Sequence, residues 1–138
     1  MVVLGLDIGK KRIGVALWSP KSRIVTPVTV IQVTKPIAAF REIEALTNTH
    51  TPDKMVLGYP LMPNGKPGEL AKLVDIWAAK LGAQLSVPIE LWDERMTSKL
   101  AEQDLRNLGV AQKEQRSVVD MAAAMRILES WLMAKGHL

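Results

Sequence analysis

The sequence contains no cysteine and only two histidines, His50 and His137. The absence of cysteine excludes disulfides, thiolate metal sites and a cysteine nucleophile, and it fits a reducing compartment. With so few histidines, a histidine-rich metal site is not expected. Any metal ion would therefore be held by carboxylates, which favours a hard ion such as Mg²⁺ or Mn²⁺.

Long apolar runs are also missing. No stretch approaches the ~20 residues of a membrane helix, and the first residues lack the basic region of a signal peptide. We therefore expect a cytoplasmic protein with no membrane partner. The 138 residues, 48% of them hydrophobic, suit one domain spanning residues 1–138. The net charge of +4 favours a polyanionic partner such as nucleic acid, although a merely soluble basic surface would look the same.

Hydrophobic patterning predicts an α/β protein. The predicted strands are residues 2–8, 12–18, 28–33, 54–58 and 87–93, and the predicted helices are residues 36–48, 69–81, 97–107 and 117–134. Short turns join the first three strands, so these should form an antiparallel meander. The later strands alternate with helices, which predicts a mixed five-stranded sheet with strands 4 and 5 parallel to strand 1 and helices on both faces.

One carboxylate, Asp7, stands at the end of the apolar first strand. An acidic side chain in such a position is costly unless a cation, a basic side chain or backbone N–H groups compensate it. Asp7 could simply cap the turn that follows it, as aspartate often does. It could also belong to a site, because the carboxyl ends of parallel strands are where α/β sheets place their ligands.

Three further carboxylates could meet Asp7. Asp93 and Glu94 end the fifth strand on opposite faces, and strand alternation does not say which of them faces Asp7. Asp120 shares the apolar face of the last helix with Ala124, so it could reach the end of strand 1. Carboxylates that converge repel each other unless they share protons or bind a cation, and paired divalent ions support phosphodiester cleavage.

These carboxylates also have purely structural interpretations. Residues 117–120 fit a capping box, in which Asp120 would only satisfy backbone N–H groups of the first helical turn. Asp93 could pair with Arg95 or Arg12. Residue spacing alone leaves the metal site and these alternatives open.

Four segments resemble the motifs of a known family. Residues 6–16 (L-D-I-G-K-K-R-I-G-V-A) resemble the first motif of the YqgF family, also called RuvX. Residues 56–61 are similar to its G-L-P-L loop, residues 92–98 to its D-E-R-L-[ST]-[ST] motif, and residues 119–128 to its last helix. The four motifs follow the family order over nearly the whole chain.

The resemblance implies an RNase H-like fold and a metal-dependent nuclease that uses Mg²⁺ or Mn²⁺. The acidic residues of the family carry over to Asp7, Glu94 and Asp120, with Asp93 as the fallback ligand. The family is assigned to maturation of the 16S rRNA 5′ end, and it has also been proposed to resolve Holliday junctions. The implied partner is structured RNA or branched DNA, bound by a monomer or a homodimer.

Basic side chains and one loop are the expected nucleic-acid contacts. The basic candidates are Lys10, Lys11, Arg12, Arg95, Lys113 and Arg116, and the loop candidates at residues 59–68 are Tyr59, Pro60 and Asn64. Lysines in the turn after strand 1 could equally be solvated, and Arg95 could serve only to hold Asp93. Tyr59, Trp18 and Trp92 could stack on bases, but aromatic residues in a small domain more often pack in its core.

Two other functional classes fit parts of the sequence. A non-catalytic RNA-binding module would keep the same fold with an inactive site. The Asp-Ile-Gly turn at residues 7–9 also resembles the first phosphate loop of the actin, sugar kinase and Hsp70 group. Those proteins use two such domains and a second Asp-x-Gly hairpin, which this sequence lacks.

Overall fold

The computed structural model describes residues 1–93 and 112–138, with the helical backbone alone for residues 112–120. The strands are β1 (Val3–Ile8), β2 (Arg12–Trp18), β3 (Val25–Gln32), β4 (Lys54–Tyr59) and β5 (Ile89–Asp93), and the helices are α1 (Pro36–His50), α2 (Glu69–Gln84) and α3 (Gln112–Ala134). The helix predicted at residues 97–107 lies outside the described residues. None of the helices within the described ranges is long and apolar enough to cross a membrane.

The five strands form one sheet in the order β3-β2-β1-β4-β5. Strands β1, β2 and β3 pair antiparallel, whereas β1, β4 and β5 run parallel. The predicted meander and the predicted parallel strands are therefore confirmed. The central position of β1 explains its apolar run, because both faces of this strand are covered by helices.

The edge strand β3 begins at Val25, three residues before the predicted start. The predicted strand started at residue 28 and so left out Val25, Thr26 and Pro27. Pro27 is tolerated here because β3 is an edge strand and its register with β2 shifts between Val15 and Ala16, opposite Pro27.

Helices cover both faces of the sheet, as predicted, and create two cores. The first core lies under α1 and α2, where Leu4, Leu6 and Ile8 of β1 are buried. The second core lies under α3 and contains Val3 of β1. Side chains of a strand alternate between its faces. Even-numbered residues of β1 therefore face α1 and α2, and odd-numbered residues, including Asp7, face α3.

Helix α3 begins at Gln112 rather than at the predicted residue 117. Ser117 therefore lies inside the helix, and the proposed capping box beginning at this residue is wrong. The polar residues 112–116 suggested a loop, but polar residues can also be part of a helix. At its other end, α3 stops where Gly136 adopts φ 78° and the His137 N–H donates to the Leu132 carbonyl at 2.8 Å.

Candidate active site

Asp7 lies near the carboxyl end of the central strand, on the face covered by α3. It pairs with Gly14 of β2, and its side chain is partly buried. The parallel register between β1 and β4 pairs Leu6 with Leu57, so Gly58 continues that register beside Asp7. Ala16 and Val56 pack under α3, and alternation therefore directs Gly14 and Gly58 to the same face. Asp7 is thus flanked along the sheet by two residues without side chains.

Helix α3 crosses β1 in close contact just below Asp7. A Cβ atom added to Gly5 would lie 2.9 Å from Leu128 Cβ and 3.2 Å from the Ala124 carbonyl oxygen. Only glycine fits at this separation, since real Cβ atoms do not approach other atoms so closely. The small residues Ala123 and Ala124 are both buried on this side of the helix.

This contact defines where Asp120 stands along the strand. The C-terminal end of α3 lies at the end of the sheet opposite to Asp7, because Trp131 donates a hydrogen bond to Glu90 at the start of β5. The helix therefore runs antiparallel to β1. Along β1, Asp7 lies ~7 Å further toward the carboxyl end than Gly5. Along the axis of α3, the backbone of Asp120 lies ~6 Å further toward the N-terminus than Ala124. Both displacements point the same way, so the helical turn of Asp120 stands level with Asp7; the Asp120 side chain lies outside the described residues.

Two hydrogen bonds show which face each β5 residue occupies. Trp92 Nε1 donates to Ser130 Oγ at 3.1 Å, and Trp131 Nε1 donates to Glu90 Oε2 at 2.8 Å. Even-numbered β5 residues therefore face α3. Asp93 is exposed on the opposite face of the sheet from Asp7. The fallback ligand is thus not brought to Asp7, and Glu94, which lies outside the described residues, remains the predicted ligand from this strand.

The basic residues after β1 divide between the two faces. The turn is tight, since the Gly9 N–H donates to the Arg12 carbonyl at 2.9 Å and a Cβ atom on Gly9 would lie 2.7 Å from that oxygen. Arg12 faces α3, as Ala16 and Trp18 of the same strand do. Lys10 turns the other way, with Nζ 3.7 Å from Glu69 Oε2 at the start of α2.

The other basic candidates are less fully described. Lys11 is exposed, and its carbonyl accepts a hydrogen bond from the Val33 N–H at 2.8 Å. Arg95 lies outside the described residues, and Lys113 and Arg116 belong to the part of α3 whose backbone alone is described. Their contacts with nucleic acid therefore remain predictions.

Tyr59 is the last residue of β4 rather than a loop residue, and it faces away from Asp7. Tyr59 packs against the first core and its hydroxyl donates to Asp75 Oδ2 of α2 at 3.1 Å. Partial burial, together with the hydrogen bond and negative charge of Asp75, raises the pKa of the Tyr59 hydroxyl and keeps it protonated. Asn64 shapes the loop, since its Oδ1 accepts from the Lys66 N–H at 2.9 Å. Pro60 is partly buried.

Both tryptophans proposed as stacking residues pack inside the protein. Trp18 is 5% exposed in the second core, and its ring lies 5.5 Å from that of His137. Trp92 packs against the same core and bonds to Ser130. The core interpretation of these rings is therefore the one that the structure supports.

Sequence reasoning missed Glu90. Its carboxylate accepts hydrogen bonds from Lys54 Nζ at 2.9 Å and from Trp131 Nε1 at 2.8 Å, and Lys135 Nζ lies 3.6 Å away. The signal was present, because Glu90 interrupts a short apolar strand just as Asp7 does. Glu90 lies at the opposite end of the sheet from Asp7, and its partners are protein groups.

The carboxylate of Asp7 is a ligand of the kind that suits a hard divalent cation. Carboxylate oxygens are the ligands that Mg²⁺ and Mn²⁺ prefer, and the neighbours of Asp7 along the sheet, Gly14 and Gly58, carry no side chain. Among the residues whose side chains are described, no three acidic or histidine side chains form a cluster. The predicted partners, Glu94 and Asp120, are outside that set, so the complete ligand group remains a prediction.

The fold is the RNase H-like fold, which this chain shares with two solved resolvases. The chain aligns over 98% of its length with the fowlpox virus resolvase bound to Holliday junction DNA, with a TM-score of 0.63 and 13% identity, covering 99% of that chain. It aligns over 99% of its length with Thermus thermophilus RuvC bound to a Holliday junction substrate, with a TM-score of 0.58 and 20% identity, covering 98% of that chain. These likenesses confirm the expected RNase H-like fold.

The chain belongs to the RuvX family, described as Holliday junction resolvase, whose model matches residues 1–134. A relative from Chloroflexus aurantiacus, named "Putative pre-16S rRNA nuclease", is 39% identical over 134 residues, which cover 97% of this chain and 88% of the relative. A relative of the same name from Pelotomaculum thermopropionicum is 38% identical over 138 residues, covering 99% of this chain and 90% of the relative. The resemblance found in the sequence motifs is therefore confirmed.

Proposed function

We propose that this protein is a cytoplasmic, divalent-metal-dependent nuclease that hydrolyses phosphodiester bonds in structured RNA, in the maturation of the pre-16S rRNA 5′ end. The observation that carries the proposal is the placement of Asp7. This carboxylate stands at the carboxyl end of the central strand, between two glycines and level with the turn of α3 that contains Asp120. The names of the curated relatives support RNA as the substrate.

In this proposal Asp7, Glu94 and Asp120 hold Mg²⁺ or Mn²⁺. The bound ions would activate a water molecule and stabilise the leaving oxygen of the phosphodiester. Arg12 faces α3 as Asp7 does, so its guanidinium suits a phosphate oxygen next to the scissile bond. The glycines at positions 14 and 58 would leave room for the substrate backbone beside Asp7.

The test is cleavage of a 5′-extended pre-16S transcript by wild type and Asp7→Asn in the presence of Mg²⁺ or Mn²⁺. The substitution keeps the shape of the side chain and removes its charge, so we expect a rate loss of about 10² or more. Asp53→Asn is a matched control, since Asp53 Oδ2 accepts the Val2 N–H at 2.8 Å at the far edge of the sheet. Wild-type cleavage by Asp7→Asn, with Asp53→Asn behaving identically, would refute the assignment.

Junction resolution is the second candidate, favoured by the description of the family model. A four-way DNA junction with fixed arms should be assayed beside the transcript. A resolvase produces paired nicks at symmetric positions, whereas an rRNA-processing enzyme cleaves the transcript and leaves the junction uncut. Binding of RNA without cleavage in either metal would instead indicate a non-catalytic module.

A further inference from the structure

Exposed lysines lie at the same end of the sheet as Asp7, but on the face that α1 and α2 cover. Lys35 directly precedes α1, Lys66 lies in the loop before α2, and Lys10 contacts the start of α2 through Glu69. Both helices pack on the first core, away from α3. We name Lys10, Lys35 and Lys66 the lysine track.

The track surrounds the turn that follows β1. The Lys11 carbonyl accepts a hydrogen bond from the Val33 N–H at 2.8 Å. Lys35 is two residues after Val33, so the Cα atoms of these two residues are within ~7 Å of each other. Lys66 is three residues before Glu69 and therefore within ~11 Å of it. The three lysines therefore lie along one path, from the residue before α1, past the turn, to the loop before α2.

The charge of this region is predominantly positive. Lys35 and Lys66 are exposed and form no ion pair within the described part of the chain. Lys10 has only Glu69, at 3.7 Å, and the two side chains are 70% and 87% exposed. Solvent screens such a pair strongly, so Lys10 can exchange this carboxylate for a phosphate at little cost. Exposed lysines with weak internal partners are suited to the phosphates of a nucleic-acid backbone.

We propose that the substrate crosses the end of the sheet, with its scissile segment at Asp7 on the α3 face and its flanking phosphates on the lysine track. This inference rests on the proposed nuclease function and extends it, since it assigns a second contact surface on the other face. In this proposal the substrate passes over the turn at residues 9–11, at the end of the sheet that carries Asp7. The track positions the substrate and takes no part in bond cleavage.

The test is the salt dependence of RNA binding in an Asp7→Asn background, which prevents cleavage. Lys35→Ala and Lys66→Ala should each reduce the slope of log K against log salt concentration by about 1, because each removes one phosphate contact. Lys21→Ala is the matched control, because Lys21 is an exposed lysine in the turn between β2 and β3, at the end of the sheet opposite to Asp7. Its slope should equal that of the parent.

A gain of affinity provides a second readout. Glu69→Gln removes the carboxylate that faces Lys10, so we expect tighter binding at low salt and no change at high salt. Parent-like slopes for Lys35→Ala and Lys66→Ala, while the parent binds RNA, would overturn the lysine track and leave the nuclease proposal intact. Absence of RNA binding by the parent, together with absence of cleavage by wild type, would overturn the nuclease proposal and the track with it.

Discussion

At the scale of single residues, two carboxylates, Asp7 and Glu90, interrupt apolar strands and lie at opposite ends of the sheet. Glu90 lies among Lys54, Lys135 and Trp131, so protein groups supply its hydrogen bonds and its countercharge. Asp7 stands between glycines at the other end of the sheet, where we propose a metal site. A partly buried charge needs a partner, and for Glu90 the three-dimensional contacts show that its partners are groups of the protein itself.

Glu90→Gln should destabilise the protein. Partial burial raises the pKa of the Glu90 carboxyl, but hydrogen bonds from Lys54 and Trp131, with the charges of Lys54 and Lys135, outweigh burial and lower that pKa. We expect a loss of about 1–2 kcal/mol in the free energy of unfolding at pH 7. Because the folded pKa is depressed, this stabilisation is complete above the unfolded value of about 4.3 and disappears as pH falls through the folded value.

Urea unfolding between pH 7 and pH 3 measures this effect. Glu129→Gln is the control, since Glu129 pairs with Arg126 at 3.5 Å on the surface and should contribute no more than about 0.5 kcal/mol. A stability deficit for Glu90→Gln that stays constant down to pH 3 would contradict the ionic explanation.

At the scale of elements, the contact between α3 and β1 determines the geometry of the candidate site. Gly5 lets the helix approach so closely that Ala124 and Leu128 touch the strand backbone. The same contact sets the height of Asp120 relative to Asp7. The packing of α3 against β1 therefore controls whether Asp7 and Asp120 can lie close to each other.

Gly5→Ala should reduce both stability and cleavage. The added methyl group would overlap Leu128 and force α3 outward, which should cost about 1–3 kcal/mol. Displacement of α3 should also lower the cleavage rate at temperatures where the variant remains folded. Thermal unfolding and transcript cleavage measure the two effects separately.

Gly82→Ala is the matched control for this variant. A Cβ atom on Gly82 would meet only Ile89 Cγ1, at 3.9 Å, and the residue lies inside α2. Alanine should therefore stabilise the protein by about 0.5–1 kcal/mol and leave cleavage unchanged. A Gly5→Ala protein as stable and active as Gly82→Ala would show that the close approach is unimportant.

At the scale of the whole molecule, the sheet separates two surfaces with different tasks in our proposals. The α3 face carries Asp7 and Arg12, and the other face carries the lysine track. A single protomer therefore contains both the proposed cleavage site and the proposed substrate contacts. This organisation suits cleavage of one RNA strand by one protomer.

We accordingly predict that the initial rate of transcript cleavage rises in direct proportion to protein concentration. Symmetric nicking of a four-way junction needs two sites related by a two-fold axis, so it should instead require a dimer. Rates measured over a hundredfold dilution series, with sedimentation analysis at each end, decide between the two. A rate that falls with the square of protein concentration would favour the dimeric resolvase.

The sequence by itself determined the elements whose pattern is strong. The central strands β1, β2 and β4 lie within one residue of their predicted bounds, because residues buried on both faces leave an unambiguous apolar run. The order of the four motifs along the chain was also enough to identify the family. The starts of β3 and α3 were wrong, because proline and polar residues suggest loops wherever local propensity is the only information.

Only the tertiary structure shows on which face of the sheet each candidate side chain lies. Alternation predicts that Asp93 and Glu94 point in opposite directions, but only the contacts of Glu90 and Trp92 with α3 show that Asp93 faces away from Asp7. The same applies to Tyr59, whose ring belongs to the α2 side. The physical reason is that the two-residue repeat of a strand separates its side chains into two sets, but it does not specify which set faces which helix. The choice is made by the helix that packs against it, through contacts between residues far apart in sequence.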